Sequence, residues 1–278
     1  MSRTKRIVAY QGETGAFSEQ AALRYFGAHA VPKSMKTFAE AFAFAENHAE
    51  DFAVLPIENS VFGSIHQVYD LLLKHRLSIV GEMKLRIELH VVALPGVALK
   101  NIHTIYSQAQ ALGQCETFLS GLTNVRIETF HDTAAAARLI KEEKRRDIAA
   151  IASATAAKVY GLSIIKKNVE SNHENYTRFI VLSKKKSAPP TEAKTSLAFA
   201  VKDIPGALFK AIAVFTLRDI NLLKIESRPF PGKPWQYLFY LDVEGSPACS
   251  PLAEALKHLQ EVSTVVHILG SYTPFKER

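Results

Sequence analysis

Two cysteines, one tryptophan and no long apolar run mark what this 278-residue chain does without. Cys115 and Cys249 lie far apart and lack metal-ligand spacing, so reduced, packed thiols are expected and a structural disulfide is not. No window approaches the roughly 18–20 apolar residues of a membrane-spanning helix, which excludes a membrane partner. The basic start, residues 1–6, is followed only by a strand-length apolar run and no small-residue cleavage site. No signal peptide is read there, and a cytoplasmic location is expected. The glycine loop at 12–15 has no Gly-Lys-Ser/Thr after it, so it is no Walker loop. Internal repeats and low-complexity segments are missing too.

What is present is a positive balance: 34 Lys and Arg against 27 Asp and Glu, a formal charge of +7. Such an excess suits either nucleic acid or a small anion, and its distribution decides. The cluster Lys141-Glu142-Glu143-Lys144-Arg145-Arg146 is interleaved with acids and reads as a solvated helix face. The other, Lys184-Lys185-Lys186, runs into Ser187-Ala188-Pro189-Pro190, the composition of an exposed linker. No nucleic-acid partner is expected.

With 47% hydrophobic residues the chain can build two or three cores. Residues 7–10 read as a buried strand, followed by the glycine loop and a helix to about Phe26 that Ser18 can cap. Strands and helices then alternate to residue 182, which predicts mostly parallel α/β sheets. Crossings near Gly81 and Asn172 would make two lobes, residues 1–81 with 172–186 and residues 82–171, and a cleft between them. After a linker at 187–194 the pattern becomes βαββαβ over 195–278, the ferredoxin-like order.

Three segments carry candidate chemistry. Gly12-Glu13-Thr14-Gly15 before a helix can hold an anion on free N–H groups, or can serve only as a tight turn. Glu58-Asn59-Ser60 ends an apolar strand, where open α/β sheets bind ligands; the plain alternative is a turn in which Ser64 caps the next helix. Thr177-Arg178-Phe179 enters the last strand of the first region and sets a hydroxyl beside a guanidinium, or is a strand with an exposed arginine.

Glu58-Asn59-Ser60 with Gly63, Ser107 with Gln114-Cys115, Asp132-Thr133-Ala134, Ala152-Ser153 and Thr177-Arg178-Phe179 resemble, in order, the blocks of prephenate dehydratases. Beyond the linker, Gly206-Ala207-Leu208-Phe209 and Glu226-Ser227-Arg228-Pro229 resemble the effector motifs of that family's ACT domain. Gln108-Ala109 departs from the His-Pro of many relatives, as does Glu13 from Pro. The resemblance implies a two-lobed catalytic region (1–186) of the periplasmic-binding-protein type and a regulatory ACT domain. It implies loss of water and carbon dioxide from prephenate to give phenylpyruvate, or the same reaction on arogenate, with no metal or redox cofactor. Thr177 is then the expected proton donor. Glu58, Asn59, Ser60, Ser107, Gln114, Thr133, Arg178 and Phe179 are expected at the substrate. Gly206, Ala207, Leu208, Glu226, Ser227, Arg228 and Pro229 are expected at phenylalanine, the effector, in a homodimer or homotetramer. A solute-binding protein would share the lobes but lack the Thr-Arg-Phe block, and a free amino-acid sensor would lack the upstream blocks.

Overall fold

The computed structural model describes residues 5–186, 188 and 190–276. Residues 1–4 of the basic start, Ser187 and Pro189 of the expected linker, and the last two residues lie outside that set.

The first lobe is built from β1 (Arg6–Gln11), α1 (Phe17–Phe26), β2 (Ala30–Met35), α2 (Phe38–Asn47), β3 (Phe52–Asn59), β4 (Gly63–Ser64), α3 (His66–Lys74) and β5 (Ser78–Arg86). The second holds β6 (His90–Ala93), β7 (Thr104–Gln108), α4 (Ala109–Gln114), α5 (Glu116–Ser120), β8 (Arg126–Phe130), α6 (Thr133–Glu143), β9 (Ile148–Ala152), α7 (Ala154–Tyr160) and β10 (Ser163–Lys166). β11 (Tyr176–Ser183) then returns to the first sheet, whose order is β2-β1-β3-β11-β5; the second sheet runs β10-β6-β9-β7-β8. β11 is antiparallel to both of its neighbours, and so is β6. The second sheet is therefore parallel apart from β6, and the first apart from β11 and the two-residue β4 on β3. The outward crossing lies at 87–89 rather than near Gly81, because β5 continues to Arg86 against β11.

Small side chains set how closely α6 approaches its sheet. Ala134, Ala135, Ala136 and Ala137 are buried, as are Ala149, Ala150 and Ala152 on β9, so helix and strand meet with little between them. Asp132 caps α6 by accepting from Ala134 N and Ala135 N at 2.8 and 2.9 Å. The capping expected of Ser18 does not occur: α1 starts at Phe17 after Ala16, with no side-chain cap, and Ser18 lies buried in its first turn. Nor does Ser64 cap α3.

The C-terminal part has β12 (Lys194–Val201), α8 (Ala207–Thr216), β13 (Leu222–Pro229), β14 (Tyr237–Glu244), α9 (Ser250–Val262) and β15 (Ser263–Tyr272). Its antiparallel sheet, β13-β14-β12-β15, has the ferredoxin-like order. One face packs on α8 and α9 through Leu197, Phe199, Phe215, Leu252 and Leu259. The other joins the first lobe's core, where Ala198, Leu238, Tyr240 and Leu269 pack with Leu55, Tyr69 and Ile180. Gly270 of β15 lies so close to Ile79 of β5 that a Cβ there would collide with backbone.

Candidate active site

A cavity of about 240 Å³ opens where the two lobes meet. Gln11, Asn59 and Gln108 end β1, β3 and β7 there, and Thr177 is the second residue of β11, so strand ends of both sheets converge on one cleft. The N-termini of α1 and α6 face it through Ser18 and Thr133, and Phe17, Phe38, Ile87, Leu89 and Phe179 form its apolar walls.

The central geometry is a fixed amide. Asn59 Oδ1 accepts from Val61 N and Phe62 N, both at 3.0 Å, which forces its Nδ2 the other way. Nδ2 donates to Thr177 Oγ1 at 3.0 Å and Asn175 Oδ1 at 2.8 Å. With an acceptor lone pair of Thr177 engaged, its hydroxyl hydrogen is free to point elsewhere, and the cleft lies beside it. Gln114, from the second lobe, reaches the same Asn175 Oδ1 at 3.5 Å. Asn175 thus ties the lobes beside the cleft, and its place two residues before the Thr177-Arg178-Phe179 block was the only available signal for it.

Among the described residues lining the cleft, Asp132 is the one ionisable side chain; the other polar groups are amides and hydroxyls. Burial raises its carboxyl pKa, against the pull of the Ala135 and Ala134 N–H groups. Among the described residues, no lysine or arginine lines the cavity.

The expected substrate residues therefore divide. Asn59, Gln114, Thr133, Thr177 and Phe179 come together on the cleft. Glu58, Ser60 and Arg178 do not; they line a second cavity, about 610 Å³, between β3, β5 and β11 and the C-terminal sheet. Arg178 follows Thr177 and so projects from the opposite face of β11. Glu58 is turned away by a β-bulge: Arg178 pairs with Glu58 and Phe179 with Pro56, which leaves Ile57 as the extra residue. Ser60 braces the loop by accepting from Tyr176 N at 2.9 Å. Ser107 is fully buried and donates to Ile151 O at 2.7 Å, a strand-to-strand tie rather than a cleft group.

The glycine loop is a seat between lobes more than an anion cradle. A Cβ on Gly15, at φ +94°, would stand 2.7 Å from Ala156 Cα, and Gly15 N already donates to Glu19 at 2.5 Å.

A family model for prephenate dehydratase matches residues 8–187. The chain belongs to the prephenate dehydratase family. It is 47% identical over 277 residues to an arogenate dehydratase/prephenate dehydratase of Arabidopsis thaliana, across 95% of this chain and 72% of that one. Among solved structures, a prephenate dehydratase in complex with L-Phe from Arthrobacter aurescens superposes with a TM-score of 0.88 at 31% identity, covering 96% and 89% of the two chains. A protein described as a quorum quenching acylase superposes with a TM-score of 0.89 at 33% identity, covering 97% and 98%. The chain is an enzyme of the dehydratase type, in phenylalanine biosynthesis.

The expected effector residues also divide. Gly206, Ala207 and Leu208, with Gly206 at φ 76°, line a surface pocket of about 240 Å³ with Trp235 and Tyr237. Glu226 and Arg228 instead contact the first lobe: Glu226 accepts from Ser64 at 2.5 Å, and Arg228 donates to Asp70 at 2.9 Å. Ser227 and Pro229 alternate outward on β13, an edge strand on the far side of β14, whose Tyr237 lines the pocket and pairs with Pro229; no β13 residue lines the pocket itself. Within one chain the two motifs do not meet. Cys115 is buried, its thiol pushed up to about 12 by that burial; among the described residues both cysteines are free, and no group of three or more His, Cys, Asp or Glu is placed to hold a metal.

Proposed function

We propose that the cleft converts prephenate to phenylpyruvate, and the observation that carries this is the Thr177 hydroxyl held by Asn59 with its hydrogen free for the cleft. The bond from the ring to its carboxylate breaks, its electron pair completes the aromatic ring, and the ring hydroxyl leaves as water with a proton relayed through Thr177. A threonine hydroxyl is a weak acid, so it works by a positioned hydrogen bond and relay, driven by aromatisation. Neutral donors at the helix N-termini hold the substrate's charge, with Ser18, Gln108, Gln114 and Thr133 in reach of its oxygens. Absence of a cationic partner on the lining serves decarboxylation, since a tightly paired carboxylate gives up its charge less easily. Phe179 packs against the ring.

Arogenate is the second reading, favoured by Asp132: a carboxylate on the lining can meet the ammonium that replaces the ketone. Ultraviolet product formation from prephenate and from arogenate, compared as kcat/KM, decides between them, and turnover of neither would end both readings. An acylase reading lacks support in the cleft, where no histidine, cysteine or lysine lines the wall to activate a nucleophile.

Phenylalanine is proposed as feedback inhibitor at the C-terminal domain, with Gly206, Ala207 and Leu208 of one chain meeting Glu226, Ser227, Arg228 and Pro229 of another in a homodimer or homotetramer. The separation of these motifs within one chain and the apolar exposure of Leu223 and Ile225 on β13 support this. Calorimetry of phenylalanine binding to wild type and Ser227→Ala, beside inhibition curves, is the test. No helix among the described residues is long and apolar enough to cross a membrane. The cytosol is our proposed compartment, and free thiols suit a reducing environment of that kind.

A further inference from the structure

The cleft's two central residues each have a charged neighbour on the far side of the sheet. Glu58 precedes Asn59, Arg178 follows Thr177, and both point into the seam with the C-terminal domain. They pair across the β3–β11 ladder at the bulge, where the extra residue Ile57 puts the strands out of step. A bulge re-aims the side chains beside it, and here it sends Glu58 and Arg178 to the seam while Asn59 meets Thr177. Whatever braces the bulge from the seam side therefore bears on the cleft.

The C-terminal domain holds both sides of it. Arg178, whose side chain is 9% exposed, donates from Nη1 to Asp242 Oδ2 at 2.5 Å. Asp242 is fastened in turn, its Oδ1 accepting from Ser196 at 2.5 Å, while Ser196 shares a hydrogen bond with Tyr272. Glu58 accepts from Lys224 Nζ at 2.7 Å. Lys194 completes the cluster: it donates to Glu82 of β5 at 2.9 Å and stands 3.5 Å from Asp242. Arg178, Glu82, Lys194 and Asp242 are all buried, two contributed by each domain. Arg178 also stands 3.6 Å from Glu58 and 3.7 Å from Glu82 in its own lobe, but its shortest bond is to Asp242, and the buried Asp242 and Lys194 charges take their partners across the seam. The adjoining cavity of about 610 Å³ leaves it room to rearrange.

We propose that Asp242 and Lys224 are positioning residues for the dehydratase reaction: through Arg178 and Glu58 they hold the bulge that brings Asn59 to Thr177, and this clamp carries the state of the C-terminal domain to the cleft. The second half rests on phenylalanine being the effector. Its physical content is that a shift of β13 and β14 moves the ends of two side chains whose backbones flank the cleft residues on either strand. Binding of substrate lining groups is left unchanged, because neither Asp242 nor Lys224 touches the cleft.

Asp242→Asn keeps shape while removing the charge, and Lys224→Met acts on the less buried side of the clamp, where folding is at less risk. Each is expected to lower kcat by about tenfold or more, as a small misplacement of a reacting group does, with KM within about twofold. Asp242→Glu, which keeps the charge opposite Arg178, should recover most of kcat. Phenylalanine should still bind both charge-removing variants by calorimetry while its inhibition weakens by at least about fivefold. Folded variants, verified by thermal melts, that keep wild-type kcat overturn the positioning role, and so does a rise in KM alone. If Asp242→Asn fails to fold, Lys224→Met decides. Wild type that neither binds nor responds to phenylalanine ends the effector reading alone, and the kcat of the variants still decides the clamp.

Discussion

Thr177 faces a cleft of amides, hydroxyls and rings, whereas Arg178, the next residue, faces a seam built from charges. The cleft lining carries one ionisable side chain and no cation; the seam buries two cations and two carboxylates. Burial works most strongly against the Arg178 charge, but Asp242, Tyr272 and Glu82 together outweigh it, so its pKa is raised. Burial likewise opposes the Asp242 charge, yet Arg178 and Lys194 hold its carboxyl below the ordinary range. The difference teaches that a contiguous polar block need not be one site. One strand divides it into a surface that works on a neutral-lined ligand and a surface that fixes the strand.

The comparison breaks most directly at Thr177. Thr177→Ala is expected to lower kcat at least about a hundredfold, the low end for a positioned proton-transfer group, with an unchanged thermal melt. A folded variant with near-normal kcat would take Thr177 out of the mechanism and leave the cleft without its donor.

Asn59→Asp asks whether the amide orients that donor. The carboxylate can still accept from Val61 N and Phe62 N, but it cannot donate to Thr177 Oγ1 and invites the hydroxyl hydrogen toward itself. A loss of about tenfold in kcat is expected, the worth of one oriented hydrogen bond. Protonating the new carboxyl restores a donor, so the loss should shrink as pH falls; a pH-independent loss would count against orientation.

Much of this division was hidden in the sequence. Alternation along β11 does place Thr177 and Phe179 on one face and Arg178 on the other, and strict period-two reading would have separated them. The same reading fails on β3. Ala53, Leu55 and Ile57 share the core with the C-terminal sheet, so alternation would send Glu58 to the cleft and Asn59 to the seam. The bulge at Ile57 reverses both, and nothing in Pro56-Ile57-Glu58 announces it. The βαββαβ order was legible because its strands are long apolar runs and α8 and α9 are amphipathic. β2 was not: Ala30–Met35 contains Pro32 and Lys33 and lies at a sheet edge, where neither a hydrophobic run nor a full ladder is required. β10, at an edge of the second sheet, escaped because four residues are too few to show a pattern.

The seam should also show itself in acid. Asp242 has a folded pKa below its unfolded value, so its contribution to stability is complete above the ordinary aspartate value of about 3.9 and is lost as pH falls toward the folded one. Melting temperature of the wild type should fall below about pH 4 with a component that Asp242→Asn lacks. Parallel acid curves for the two proteins would show that the pair contributes nothing.

The smallest effect expected is at the rim of the same seam, where Arg228 pairs with Asp70. The geometry is nearly bidentate, at 3.3 and 2.9 Å, but the side chains are 23% and 36% exposed. Water and salt screen such a pair, and ordering two long side chains offsets part of what remains. Asp70→Asn should therefore cost no more than about 0.5 kcal/mol, a fall of about 1–2 °C in Tm for a chain of this size, and the loss should shrink further in salt. Because Asp70 lies on α3 and touches neither the bulge nor the cleft, kcat should stay at the wild-type value. A large loss of kcat in a folded Asp70→Asn enzyme would move the coupling from the buried charges to the rim, and would make α3 rather than the β3–β11 bulge the element through which the C-terminal domain acts.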